Sequence, residues 1–546
     1  MGIAKMKKFQ FKDIAFLIIS IAWIFLVFID YLNKQMYDSA FIYFKQPKTA
    51  LAIIVLSLLV GLGFSKFKNV FSKYLMNGLG MLLLIFISTL ILALGFSKWA
   101  YTPTTPSEGS LYAVWSMVYI IPLLFTVWSS YAMGDLIFKY SKLYQPKIGL
   151  DLIKIAIGIM LITFLLFILA IFGLLFNFII IPILAIPIIV NYKGSLDVLK
   201  RSLIKPWVDK KSKVNFLTGV LLTLLITFLA LNFSGVISPF PSGFDSRNYY
   251  VNISKLLHDY NGLVEGFQPY NWSLFMSLGI IAFGNITTTM HLSFIGIIFT
   301  LWGGNIICRK YFNLPINLCL FILLQFSVTP AIYNQMFVEL KIDFGLLFIQ
   351  ICCLLLIMEM IVMRNLKGSF EGKEIWSLII LFSIFCGYGL GVKLTHLYLM
   401  FAFFMLIWSL YCQYFGFLGI FFMILFVIFF AGLDEISGMG RYHIGIFYQR
   451  YAFFGIGLLF MIISFIRNRK DFLDLFKISA VVTTISILVF VPWVFKNYAD
   501  SDKISIRTLV MGNNPGPPVH VKTINETYRK LLREKNQNKN KNKNRK

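Results

Sequence analysis

The segment Pro241-Ser-Gly-Phe-Asp245-Ser-Arg247-Asn-Tyr249-Tyr250 places one carboxylate, one guanidinium and two adjacent phenols in a short polar interruption between apolar blocks. That grouping suits general-base chemistry: the carboxylate takes a proton from an attacking hydroxyl while a nearby cation stabilises the departing anion. Apolar residues then recur at Tyr250, Ile253, Leu257, Tyr260 and Val264, with Asn252, Lys255, His258 and Asp259 on the opposite face. The pattern predicts an amphipathic helix lying in a membrane interface, with Asp245 at its mouth. Asp245 also stands where an N-cap would, accepting the amide of Asn248, a role that would orient the carboxylate as well.

Further polar groups fall near apolar segment ends. Phe337-Val-Glu339-Leu-Lys341-Ile-Asp343 reads as the start of a spanning helix, with Glu339 and Asp343 on one face at i and i+4. Two carboxylates so close would attract a cation or substrate, or would simply be acidic residues favoured at a helix N-terminus. Gly387-Tyr-Gly389-Leu-Gly391-Val-Lys393-Leu-Thr395 ends another apolar run. It lacks the Gly-Lys-Ser/Thr tripeptide of a P-loop, so its glycines read as helix-packing positions. Lys393 is placed to meet an anionic headgroup or phosphate, or to snorkel. Asp434-Glu435 with Arg441-Tyr-His443 form another polar stretch, and Lys496 follows Pro492-Trp493 near the end of the last apolar run. Trp493 and Tyr498 read as interfacial aromatic-belt residues.

The elements that must carry these groups are membrane helices. Hydrophobic residues make up 58% of the 546-residue chain, well beyond a soluble composition. Uninterrupted apolar runs such as 81–96 and 155–175 exclude the alternating pattern of a membrane barrel. Apolar segments fall near 14–29, 49–64, 74–97, 111–134, 152–175, 178–190, 214–238, 287–307, 313–329, 343–363, 375–391, 396–412, 415–432, 448–466 and 478–495. The stretch 178–190 is short and carries Pro182 and Pro187, so it reads either as a kinked span or as no span, and 272–284 is too short to span comfortably.

The net charge of +26 does not point to nucleic acid. The basic residues cluster around 66–73, 139–147, 200–213, 309–310, 364–373 and 467–470. All of these share one side if 272–284 does not cross, which makes that side cytoplasmic and leaves the polar candidates on the extracytoplasmic face. The Lys/Arg/Asn tail after Arg529 reads as disordered. The six cysteines (308, 319, 352, 353, 386, 412) form no C-x-x-C pair and have no histidine at ligand spacing, so they read as small core or lipid-facing residues without a metal or redox role. No cofactor is required by these patterns, and a divalent metal is not excluded.

Four stretches together resemble the GT-C superfamily of polytopic glycosyltransferases, the protein mannosyltransferase and aminoarabinose transferase branch in particular. They are Gly243-Phe-Asp245 through Tyr250, Gln268-Pro-Tyr-Asn-Trp272-Ser-Leu through Phe283-Gly284, Gly389-Leu-Gly391-Val-Lys393, and Pro492-Trp493 with Lys496-Asn497 followed by Asn514-Pro515. The chain differs in having one acidic residue at the key place of the first loop, and several apolar segments ahead of that loop where the family usually has one.

The resemblance implies an all-α polytopic bundle with interfacial helices in a first outer catalytic loop, 239–271. Residues 1–213 would be N-terminal membrane helices, 214–500 the catalytic core and 501–546 an extracytoplasmic tail. It implies a glycosyltransferase of the cytoplasmic membrane that moves a sugar from a polyprenyl-phosphate donor to a glycan, lipid or protein acceptor, with inversion. Asp245 would be the general base. Arg247, Tyr249, Tyr250, Glu339, Lys341, Asp343, Lys393, Arg441 and Lys496 are the candidates for substrate or phosphate contact. The principal alternative is a transporter or flippase of a lipid-linked saccharide, which should carry ionisable groups at depth within its spans.

Overall fold

The computed structural model describes residues 47–95, 98–99, 102–103, 118–205, 214–236, 246–265, 267–330, 340–430, 450–500 and 509–510, together with single residues 22, 26, 29 and 332. It is helical apart from a two-residue antiparallel ladder pairing Lys98–Trp99 with Thr102–Pro103. Among the described residues seven helices are long and apolar enough to cross a membrane, or up to nine if each of two bent pairs is one span. This is a multi-pass integral membrane protein.

The chain forms two compact units. The first comprises Met1–Val114, Pro206–Gly235 and Pro315–Val338. Its helices include Pro47–Lys66, Gly78–Gly95, Phe216–Val236 and Ile316–Val328. A polar knot joins two of these chain segments: Thr218 Oγ1 donates to Asn317 Oδ1 at 2.5 Å, and Asn317 Nδ2 donates to Asn215 Oδ1 at 3.1 Å.

The second unit comprises Trp115–Lys205, Val236–Leu314 and Glu339–Lys546. Its long helices are α1 (Ile120–Ser141), α2 (Leu150–Ile171), α3 (Ile286–Ile306), α4 (Asp343–Lys367), α5 (Lys373–Val392), α6 (Leu397–Phe430), α7 (Arg450–Arg467) and α8 (Arg469–Ala499). Lipid supplies no hydrophobic force between helices, so packing must come from shape and a few polar bonds. Aromatic stacking contributes much of the shape: Phe299 lies 4.9 Å from Phe348 between α3 and α4, and Phe382 lies 4.2 Å from Phe403 between α5 and α6. The two apolar segments expected at 396–412 and 415–432 run on as α6, broken at Gln413, whose φ of 57° is not helical.

The bend falls after the two prolines and not at them. Helix Asn177–Val190 contains Pro182 and Pro187 and meets Tyr192–Ile204 at 87°. The short stretch at 272–284 forms Asn271–Met276 and Leu278–Ile281, and every residue of Asn271–Met276 is buried in protein.

The predicted amphipathic helix spans Val251–Tyr260, entered through a π-helical turn Ser246–Tyr250. Ile253, Leu256, Leu257 and Val264 are buried, whereas Tyr260 is exposed. The helix stops there because Asn261 adopts a left-handed φ of 53° and turns the chain away.

The basic loops of this unit gather at one end of the bundle. Tyr144, between Lys142 and Lys147, donates to Glu359 Oε1 at 3.3 Å, and Tyr311, next to Arg309-Lys310, donates to Glu359 Oε2 at 3.2 Å. Arg364 pairs with Asp471 at 3.0 Å at the same end. Burial, and then the Glu359 carboxylate, pushes the Tyr144 phenol up to about 12, so it remains a donor.

Candidate functional site

The opposite end of the second unit holds the candidate groups that the structure describes. The turn carrying Ser246 to Tyr250 is tied down by one side chain. Ser246 Oγ donates to the Leu340 carbonyl at 3.2 Å and accepts the Leu340 N–H at 2.7 Å. Ser293 on α3 does the same for the next residue, donating to the Lys341 carbonyl at 2.7 Å and accepting its N–H at 3.0 Å. These four backbone groups lie just ahead of a helix, and each serine satisfies a donor and an acceptor at once.

These contacts correct one expectation. Helix α4 begins at Asp343, and Leu340 and Lys341 are bonded outward to serines. Leu340 and Lys341 thus precede the helix, and Glu339 lies outside the described residues.

Asp343 instead meets Lys393 from the end of α5, with Nζ to Oδ1 at 2.7 Å. Lys393 keeps 40% of its side chain exposed. It leaves the helix in extended conformation, with φ −161° and ψ 132°, which turns its side chain off the helix barrel. Ser246, Lys341, Asp343 and Lys393 thus form one connected neighbourhood in space, contributed by three separate stretches of chain.

Lys496 occupies a second neighbourhood at this end. It is 5% exposed, pairs with Asp500 at 2.7 Å, donates to the Phe267 carbonyl at 2.9 Å and lies 5.8 Å above the Tyr270 ring. Tyr270 packs edge-on to Trp493 at 4.7 Å, and its hydroxyl accepts the Val264 N–H at 2.9 Å. Burial pushes that phenol up, so it stays neutral. Trp493 is buried, not a belt residue as expected, because its indole N–H has a partner inside: Nε1 donates to Asn271 Oδ1 at 2.8 Å. Asn271 Nδ2 then donates to the Tyr388 carbonyl at 3.0 Å. Gly391 makes this possible, since a Cβ there would collide with the Asn271 amide and come within 3.0 Å of Trp493 Nε1. Tyr249 joins the group through Phe267, with ring centroids 6.1 Å apart.

Between α2, α5 and α8 lies a cavity of about 300 Å³, apolar along most of its length. Its lining runs from Ile137 and Leu143 near the basic end to Asn271, Tyr388 and Trp493 at the other. Its volume sits at the lower bound of ligand-holding pockets.

Tyr250 is half-buried at the end of the π-helical turn. The backbone of Arg247 lies in that turn, and its side chain is outside the described residues, as are Asp245, Glu339, Arg441, Asp434, Glu435, His443, most of the tail after residue 500 and most of the N-terminal apolar run at 14–29. Sequence reasoning passed over Ser246, Ser293 and Asn271 as working residues. The only signal was their small polar character beside apolar runs, which many uninvolved residues share. No known protein family, curated protein or solved structure matches this chain.

Proposed function

We propose that this protein is a membrane glycosyltransferase of GT-C type, moving a sugar from a polyprenyl-phosphate to an acceptor hydroxyl at the extracytoplasmic surface. One observation carries the reading. Ser246, the neighbour of Asp245 in sequence, is bonded on both sides to Leu340, three residues from the Asp343 that pairs with Lys393. In this reading the Asp245 carboxylate, one residue from that anchor, works together with the Lys393 cation, the combination that base-assisted displacement of a phosphate leaving group requires.

In this account Asp245 takes the proton of the attacking hydroxyl, and the hydroxyl oxygen displaces lipid phosphate from the anomeric carbon with inversion. Lys393, released in part from Asp343, receives the negative charge that develops on the phosphate. Lys341 and Arg247 are additional cations on the same chain stretches, and Tyr249 and Tyr250 offer rings to the sugar face. The apolar cavity supports the lipid side of the reading, since its polar end meets Asn271 and Trp493.

A second reading, export of a lipid-linked saccharide, draws on a different observation. Lys154 and Asp135 form a 2.6 Å pair within α1 and α2, joined by Asn191 at 2.7 Å, and ionisable groups within spans often mark transport paths.

One experiment separates the two. Membranes containing the full-length wild-type chain receive radiolabelled polyprenyl-phosphate hexoses and pentoses, and label is followed both across the membrane and into acceptor. Protein-dependent glycosidic product supports transfer. Protein-dependent translocation without product contradicts it. Accessibility of Lys255→Cys, on the exposed face of the 251–260 helix, to an impermeant thiol reagent tests the sidedness: labelling from the cytoplasmic side alone overturns it.

A further inference from the structure

Cys353, Cys386 and His396 are far apart in sequence and come from three elements: α4, α5 and the 3-10 turn Leu394–His396 that joins α5 to α6. Their ligand atoms all lie within 4.8 Å of one another, and all three side chains are fully buried. Among the described residues no oxygen or nitrogen atom bonds either ring nitrogen of His396, and its contact is with the Cys353 thiol. A thiol is a weak hydrogen-bond partner, so a buried imidazole that meets only thiols keeps most of its donor capacity for a stronger ligand. His396 turns its ring toward two thiols.

The backbone makes room for the arrangement. A Cβ at position 389 would stand 2.6 Å from His396 Cδ2 and 2.7 Å from Cγ and Nε2, so only glycine lets the imidazole lie against α5. Cys352, adjacent to Cys353 and equally buried, is not part of the cluster. The convergence is therefore specific to one face of α4.

We infer that Cys353, Cys386 and His396 form a binding site for a soft divalent metal ion of the zinc class. Two sulfurs and one imidazole nitrogen are the donors such an ion prefers. Bond lengths of about 2.3 Å to sulfur and 2.0–2.1 Å to nitrogen set tetrahedral donors roughly 3.5–3.8 Å apart. Closing from the observed spacing takes small side-chain rotations.

Charge also favours the assignment. Cys353 lies ten residues into α4, about 15 Å along the helix, at a depth where net charge is disfavoured. A divalent ion with two thiolates and one neutral imidazole is electrically neutral. Binding releases the two thiol protons to water, and one coordination position stays available to a water or an anionic oxygen. The bound ion would join α4 to α5 and hold the turn that begins at Lys393, whose carbonyl accepts the His396 N–H at 3.0 Å. This inference does not depend on the proposed sugar transfer.

The test uses full-length protein purified in detergent under reducing conditions, with Zn2+ as the probe and Co2+ as a spectroscopic reporter. After equilibration and gel filtration the wild type should retain close to one Zn2+ per chain. Co2+ should give the near-ultraviolet charge-transfer band of thiolate ligation. Cys353→Ser, Cys386→Ser and His396→Asn should each weaken Zn2+ binding by at least tenfold, while Cys352→Ser should bind like the wild type. X-ray absorption at the zinc edge of the wild type should show two sulfur neighbours and a histidine nitrogen, which requires no variant to fold. Three results would each overturn the proposal: wild type that retains less than a tenth of an equivalent, absorption showing only oxygen and nitrogen neighbours, or Cys352→Ser losing metal as Cys353→Ser does.

Discussion

Two lysines stand at the same end of the second unit, and their surroundings differ in kind. Lys393 pairs with one carboxylate, Asp343, and keeps two-fifths of its side chain exposed. Lys496 is enclosed by a carboxylate, a backbone carbonyl and an aromatic ring, with 5% exposed. A cation that must receive charge during a reaction needs donor capacity left over, and Lys393 has it. Lys496 uses its donors to fasten α8 to the chain around Phe267 and Tyr270. The difference separates a group suited to act on substrate from one that positions the elements around it.

Substituting either lysine tests this division of roles. The largest expected effect is on stability: Lys496→Met takes the cation away from the Asp500 carboxylate and the donor from the Phe267 carbonyl in a buried setting and should cost about 3–5 kcal/mol. Thermal unfolding in detergent measures this, and a smaller loss than that of Lys393→Met would invert the assignment. Lys393→Ala should keep the fold, since a half-exposed pair contributes at most about 1 kcal/mol. It should lower kcat for sugar transfer by about 10²–10³-fold, the usual effect of removing one charge-stabilising donor. Unchanged kcat would remove Lys393 from the mechanism.

Smaller effects sharpen the same picture. Ser246→Ala deprives the Leu340 amide and carbonyl of their partner and should cost about 2 kcal/mol, with lowered transfer because the adjacent loop loses its anchor. Trp493→Phe removes one hydrogen bond to Asn271 while keeping most of the ring contact with Tyr270, and should cost about 1 kcal/mol. A Trp493→Phe loss larger than that of Lys496→Met would mean that the aromatic cluster, not the enclosed lysine, holds this region together.

The architecture was legible in the sequence where a one-dimensional pattern has a direct physical cause. Hydrocarbon thickness sets run length, so most apolar runs reappear as helices, including the division of α6 near Gln413. Pro182 and Pro187 pointed to a kink within 178–190, whereas the helix runs through both and turns only at Asn191. The clustering of basic loops at one end of the second unit followed from counting Lys and Arg.

The site was legible only in part, because its contacts join residues distant along the chain. Lys393 could be chosen as a cation of interest, but nothing in its neighbourhood named Asp343 as its partner. Trp493 looked interfacial because an indole beside a proline at a helix end usually is, and its partner Asn271 lies more than 200 residues away. The cysteines had no ligand spacing in sequence, since their convergence with His396 depends on three elements and on Gly389. The apolar run at 343–363 matches the start of α4 at Asp343, but no local pattern names Ser246 and Ser293 as the partners of Leu340 and Lys341 just ahead of it.

In the proposed transfer Asp245 removes the proton of the attacking hydroxyl, and the decisive comparison is wild type against Asp245→Asn, matched for membrane insertion, in transfer of labelled sugar from polyprenyl-phosphate donors. Asp245→Asn should lose at least about 10²-fold in rate, in keeping with the contribution of a general base. Transfer by Asp245→Asn at the wild-type rate would contradict that role.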